Sequence, residues 1–389
     1  MKIVFLKGCF SKLVCLLVLC GFYLTSGNVY SSDPQKQTKQ PNQNSQQIVN
    51  VFSWHDQIPL ELIKAFEAET GIKVRLDTID SNEVLEAKLL AGSTGYDVVY
   101  PTALPFGARQ SASGLYAPIN KKALNHYAEI NPDFLKRLSN ADPGNMNLIP
   151  YTWGLVAIGY NPDLLPEGIQ ESDLNSWGLV YDPDLLALYA DRGVTLLDDP
   201  VDVFTTFYLY QGANPVDTSR SLLKDMTNKL KERRSFYRRF SSNLVAEQLG
   251  NKELAVAMHW SGILSTAREK FKKLGEKTPL KIILPKEGTM MWVDCLAIPH
   301  DAPHIENAHA FIDFLLRPEN AAVVSNKTYT ATTISNAKAH IREEIRSNET
   351  VFPGDEYMKK VSLPEIKSLQ FQRLMSRAFA SLMTHKKER

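Results

Sequence analysis

IVNVFSWHDQIPLELIKAFEAETGIKVRLDTIDSNEVLEAKLLAGSTGYDVVY, residues 48–100, reads as three strands separated by two helices. Ile48 to Phe52 is a β-branched run. Pro59 opens a helix in which Leu62, Ile63 and Phe66 recur at helical spacing, and Gly71 closes it. Ile72, Val74 and Leu76 alternate with charged residues as in a strand. Asp80-Ser81-Asn82-Glu83 offers capping side chains to a second helix, which Gly92 ends, and Asp97-Val98-Val99-Tyr100 is the third strand. Strands and helices alternating at this spacing predict βαβ units, a parallel sheet and an α/β fold.

Ligands of open parallel sheets sit beyond the carboxyl ends of the strands. Trp54-His55-Asp56 and Pro101-Thr102-Ala103 occupy such positions. The α/β character continues downstream. Val156 to Tyr160 reads as a strand, and Leu196-Leu197-Asp198-Asp199-Pro200 leads into a helix. Leu254 to Met258 is a buried strand ending in His259-Trp260-Ser261-Gly262, and Ile282 to Pro285 precedes Trp292-Val293-Asp294. A tryptophan, alone or beside a carboxylate, thus stands at the end of several separated apolar runs, with Asp199 and Asp202 at a helix entrance. Singly, each is an ordinary core indole or helix cap. Together they suit a cation with methylenes, since aromatic faces and carboxylates favour ammonium groups.

Before this stretch, Lys2, Lys7 and Lys12 lead an apolar run from Leu13 to Leu24, the pattern of a secretory signal over residues 1–27. Two endings stay open: cleavage near Gly27, or acylation of Cys20 after a lipobox-like Leu17-Val18-Leu19. Residues 28–47 are almost purely polar and read as a flexible leader. Three of the four cysteines lie in the signal, leaving Cys295 alone and no intramolecular disulfide. Loss of residues 1–27 takes three lysines from the 44 basic side chains and none of the 43 acidic ones, a formal net charge of −2. That balance gives no support for a nucleic-acid partner. Roughly 340 ordered residues exceed a usual single domain, so two lobes are expected.

Several long segments resemble one family, the periplasmic spermidine- and putrescine-binding proteins of bacterial ABC uptake systems. They include Phe66-Glu67-Ala68-Glu69-Thr70-Gly71, Asp80 to Gly92, Tyr96-Asp97-Val98-Val99, Pro150-Tyr151-Thr152-Trp153-Gly154, Leu197-Asp198-Asp199-Pro200 and Leu315-Leu316-Arg317-Pro318. The resemblance implies a two-lobed periplasmic-binding-protein fold of type II with two crossover hinge segments. Lobe 1 would comprise 48–151 and 294–336, and lobe 2 152–293 and 337–389. It implies aromatic walls from Trp54, Trp260, Trp292 and Tyr329, ammonium acceptors in Asp56, Asp202 and Asp294, and a hydroxyl from Thr102. Asp199 would touch ligand or cap its helix. It also implies an exported, periplasmic, monomeric protein that hands a polyamine to permease and ATPase subunits, with no cofactor, metal or catalytic residue.

Three departures from the family pattern concern the ligand. Gln57 replaces a common tyrosine, Ile263 a carboxylate of putrescine-type proteins, and Asp202 a more usual glutamate. A binder of the same fold for another small cationic or zwitterionic solute stays open. An enzyme would need a nucleophile elbow, phosphate loop or metal motif, and none is recognised. His300, His304 and His309, with Asp301 and Glu306, match no metal spacing and read as a polar loop entering a helix. The basic run Lys229 to Arg239 reads as a solvated face with Phe236 and Tyr237 turned inward.

Overall fold

The computed structural model describes residues 47–273, 275 and 280–385. The expected signal, the Cys20 alternative and all of the polar leader except Gln47 lie outside the described residues.

The opening βαβαβ stretch forms as its caps dictate. β1 (Ile48–Trp54) pairs in parallel with β2 (Lys73–Ile79) on one side and with β3 (Val98–Val99) on the other. Helix α1 (Leu60–Thr70) ends where Gly71 turns left-handed, at φ 72°, and returns its amide to the Glu67 carbonyl. Helix α2 (Asn82–Ala91) is capped by Ser81, whose hydroxyl accepts the Val84 amide. The alternation in β2 is only partly used, because β2 is the edge strand and Leu76 stays 36% exposed.

The second sheet is built around two long strands. It contains β4 (Ile149–Tyr160), β5 (Val194–Leu196), β6 (Arg239–Phe240), β7 (Val256–Trp260), β8 (Lys281–Ile283), β9 (Thr289–Leu296), β10 (Ala331–Thr332) and β11 (Val361–Ser362). Its main order is β11-β9-β4-β7-β5-β6, with β8 and β10 also on β4. Every residue of β4 is buried, as its nearly unbroken apolar sequence requires. Its first half, Ile149 to Leu155, runs antiparallel to β9, and its second half, Val156 to Tyr160, antiparallel to β7.

The cores divide at the same place. Leu155 and Met291 belong to the first core, around β1–β3, while Val156 and Met290 belong to the second, around β5 and β7. β4 and β9 are therefore the two crossover segments. The chain passes between the cores once more, since Val361 and Leu363 pack on the first and Phe371 in the second. One expected boundary is corrected by this packing. Ala337, Ile341, Ile345 and Val351 lie in the first core, not with a second lobe beginning at 337. The short helices there carry apolar residues whichever sheet they cover, so their side is a long-range outcome.

Four further helices matter below: α3 (Ala108–Ala112), α4 (Pro200–Tyr210), α5 (Ser261–Lys273) and α6 (Leu369–Met383). The two surface motifs resolve into packing. Tyr237 is buried, its hydroxyl donating to the Val180 carbonyl, and Phe236 is half-buried. His304 sits 3.1 Å from the buried Asp97 carboxylate, and His309 Nε2 accepts the Asn120 amide. Among the described residues no group of three or more His, Cys, Asp or Glu could hold a metal. None of the described helices is long and apolar enough to cross a membrane.

Candidate ligand-binding site

On β9 the side chains alternate. Met291, Val293 and Cys295 enter the first core, while Trp292 and Asp294 take the opposite face. Across the ladder Trp292 faces Gly154 and Asp294 faces Thr152. The indole lies so close over β4 that a Cβ on Gly154 would stand 2.4 Å from Trp292 Cζ2. Only a glycine admits this contact.

Asp294 is the centre of a polar cluster beyond β3. The Thr102 hydroxyl donates to its Oδ1 at 2.8 Å. Asn82 holds Thr102 in turn: its amide group donates to Thr102 Oγ1, and its Oδ1 accepts the Thr102 backbone amide, both at 3.0 Å. Because Ser81 caps α2, Asn82 is left free for this task. Asp294 is 6% exposed, and burial pushes its carboxyl up to about 7, against the opposing hydrogen bond from Thr102.

A second cluster belongs to the other lobe. Asp199 caps α4, accepting the Val201 and Asp202 amides at 2.7 and 3.0 Å. Asp202, in the first turn of α4, is buried and accepts the Trp260 indole N–H at 2.9 Å. Burial first, and the neighbouring Asp199 charge second, raise the Asp202 carboxyl well above its ordinary range. Burial likewise raises Asp199 to about 6, opposed by its two amides, with Glu83 and Asp198 adding repulsion. Glu83 stands on α2 of the first lobe, so acidic groups of the two lobes feel one another. Neither Asp202 nor Asp294 has an ion-pair partner among the described residues.

The structure thus joins Thr102 with Asp294, and Asp199 with Asp202 and Trp260. The other expected residues are placed as follows. Trp54 is half-buried against the first core at the end of β1, and its indole N–H, like that of Trp292, is enclosed without a partner among the described residues. The Asp56 side chain is 78% exposed on a left-handed turn residue and 3.2 Å from His55 Nδ1. Tyr329 ends its helix in a left-handed conformation, and its ring and hydroxyl meet Arg342 rather than either cluster. Asn82, Glu83 and Gly154 were not anticipated at the site. The surplus of capping residues in Asp80-Ser81-Asn82-Glu83 was the available signal, since one helix start needs only one cap.

These groups make no activated nucleophile. They offer desolvated carboxylates, indoles and a hydroxyl, a set that takes up positive charge.

The putrescine-binding periplasmic protein SpuD of Pseudomonas aeruginosa is 34% identical over 341 residues, covering 87% of this chain and 92% of that one. The putrescine-binding periplasmic protein PotF of Escherichia coli is 33% identical, covering 88% and 92%. The solved spermidine/putrescine substrate-binding protein PotD of Streptococcus pneumoniae superposes with a TM-score of 0.73 at 26% identity, covering 88% of this chain and all of that one. MotA of A. tumefaciens, solved with glucopine, shares the fold alone, at a TM-score of 0.66, 15% identity, and coverage of 86% and 99%. Residues 55–322 match the sequence profile of the bacterial extracellular solute-binding proteins, and the chain belongs to that family.

Proposed function

We propose that this protein captures a polyamine between its lobes and passes it to the membrane subunits of an ABC importer, working in the periplasm after export. The observation that carries the reading is the pair of buried carboxylates, Asp202 and Asp294, without cationic partners among the described residues. Burying an ionised carboxylate alone costs several kcal/mol. A ligand with two ammonium groups removes that cost at both clusters, while Trp260 and Trp292 cover its methylenes. An anionic cargo would meet repulsion from Glu83, Asp199, Asp202 and Asp294 together. The relatives' names, which specify putrescine and spermidine, support the same class.

The roles follow from position. Asp294 and Asp202 receive ammonium groups, Thr102 and Asn82 hold Asp294 in place, and Asp199 orients α4 so that Asp202 faces inward. Trp54 borders the site, and Asp56, at the surface, contributes only through its field. Isothermal titration with putrescine, cadaverine, spermidine and spermine, with glutamate as the anionic control, tests the proposal. Saturable binding of at least one amine and none of glutamate is expected. No heat with any amine would defeat it.

A further inference from the structure

Arg109, on α3 of the first lobe, is anchored by two bonds and reaches out by a third. Its Nε and Nη2 donate to the two oxygens of Glu86 at 2.6 and 2.7 Å, a bidentate pair that fixes the guanidinium plane. Its Nη1 donates to Gln372 Oε1 at 2.6 Å. Glu86 belongs to α2, the helix that presents Asn82 to Thr102 and Glu83 toward Asp199. Gln372 belongs to α6, which buries Phe371, Met375 and Phe379 in the second core. Gln372 is held in turn, its amide donating to the Lys367 carbonyl at 2.7 Å. A hydrogen bond therefore runs from one lobe to the other beside the site.

The seam under this bond is loosely filled. Pro105 of the first lobe, Val201 and Thr205 of α4, and Gln372 and Met375 of α6 line a small void there. Val201 directly precedes Asp202, so the seam and the site share the first turn of α4. Across this edge Glu83 of the first lobe and Asp199 of the second repel one another.

We infer that Arg109 and Gln372 form an interlobe tie that stabilises the closed arrangement and so sets ligand affinity without touching ligand. The inference rests on the polyamine reading for its ligand, but not for the tie itself. A ligand that binds the closed form pays for the fraction of molecules that are open, so weakening the tie weakens apparent binding in proportion. Both residues are positioning residues.

Gln372→Met keeps length and removes the acceptor; Gln372→Glu replaces it by a charged one. The mature protein and both variants are titrated with the amine that the unaltered protein binds best, and small-angle scattering is recorded with and without it. Gln372→Met is expected to raise the dissociation constant about three- to tenfold and to enlarge the ligand-free radius of gyration, with the ligand-bound radius unchanged. Gln372→Glu is expected to do the opposite on both readouts. A merely structural role would shift both variants the same way and leave ligand-free scattering alone. Shifts in one direction, or none, overturn the tie. Should the unaltered protein bind no amine, the polyamine reading fails, and the ligand-free radii of the two variants still decide on the tie.

Discussion

Asp294→Asn should stabilise the ligand-free protein and weaken its binding at the same time. The amide is isosteric with the carboxyl, and its Oδ1 can still accept the Thr102 hydroxyl, now 2.8 Å away. What changes is the charge. The folded carboxyl titrates at about 7 against 3.8 for an unburied aspartate. Between those values the folded protein holds a proton that the unfolded chain has lost, so this group's contribution to stability falls as pH rises from 4 through 7. Three pH units correspond to about 4 kcal/mol as an upper bound, and relaxation and water entry bring the figure nearer 2. At pH 8 the asparagine variant escapes that cost; at pH 4 it does not differ by it. The coupled pair Asp199 and Asp202 titrates in both proteins and cancels in the comparison. Binding moves the other way, because the variant cannot offer a charged partner to an ammonium group. A loss of about 2 kcal/mol, roughly 30-fold, is expected at pH 8. Urea unfolding at pH 4 and pH 8, with calorimetric titration at pH 8, gives both quantities. Destabilisation at pH 8 comparable to any seen at pH 4, or an undiminished amine affinity, would refute the assignment of Asp294.

The same protonation makes capture pH-dependent. Wild-type affinity should rise from pH 5 to pH 8 with release of protons, seen as a binding heat that varies with the buffer's ionisation enthalpy; a flat profile would count against buried carboxylate acceptors. Gly154→Ala should displace the Trp292 indole, lowering amine affinity about tenfold and stability by about 1–3 kcal/mol, read by titration and thermal melts. An unchanged affinity would remove Trp292 from the site. Ile263, 46% exposed in the first turn of α5 and three residues after Trp260, stands where the putrescine-type pattern has a carboxylate. Spermidine should therefore bind more tightly than putrescine, and Ile263→Asp should narrow or reverse the order in competition titrations. A wild-type preference for putrescine would show that another acceptor replaces the missing carboxylate.

What the sequence made legible was local. Helix α1 starts after Pro59 and stops at Gly71 because those residues fix backbone geometry wherever they stand. Trp292-Val293-Asp294, expected beyond a strand end, lies instead within β9, where alternation separates the core-facing Val293 from Trp292 and Asp294. Side-chain direction at irregular positions was not legible. Asp56 and Tyr329 both have positive φ, 60° and 55°, and in that conformation the side chain leaves the line that a strand or helix would give it. Nor could sequence show that β4 changes partners at Leu155, or that the segment from Ala337 to Val351 covers the first core. Those features depend on register and packing between segments about a hundred residues or more apart.

The unpaired carboxylates explain why one ligand should bring two lobes together. Asp294 with Thr102 belongs to the first lobe, and Asp202 with Trp260 to the second. Ligand-free, closure brings acidic groups of the two lobes nearer one another, as the repulsion of Asp199 by Glu83 of α2 shows. Burial holds the Asp294 and Asp202 carboxyls high in the ligand-free protein, and the neighbouring Asp199 charge adds to it at Asp202. A diammonium chain reverses the sign, since each end gains a charge-assisted partner only when both lobes face it. Moving a half-closed population to an almost fully closed one takes about 2.7 kcal/mol of differential binding. Two desolvated ammonium–carboxylate contacts at about 1.5–3 kcal/mol each supply that order of energy. A monoamine satisfies one cluster and leaves the other repelled, so it should bind without closing the lobes. Length and charge number, rather than any one contact, would then select the cargo.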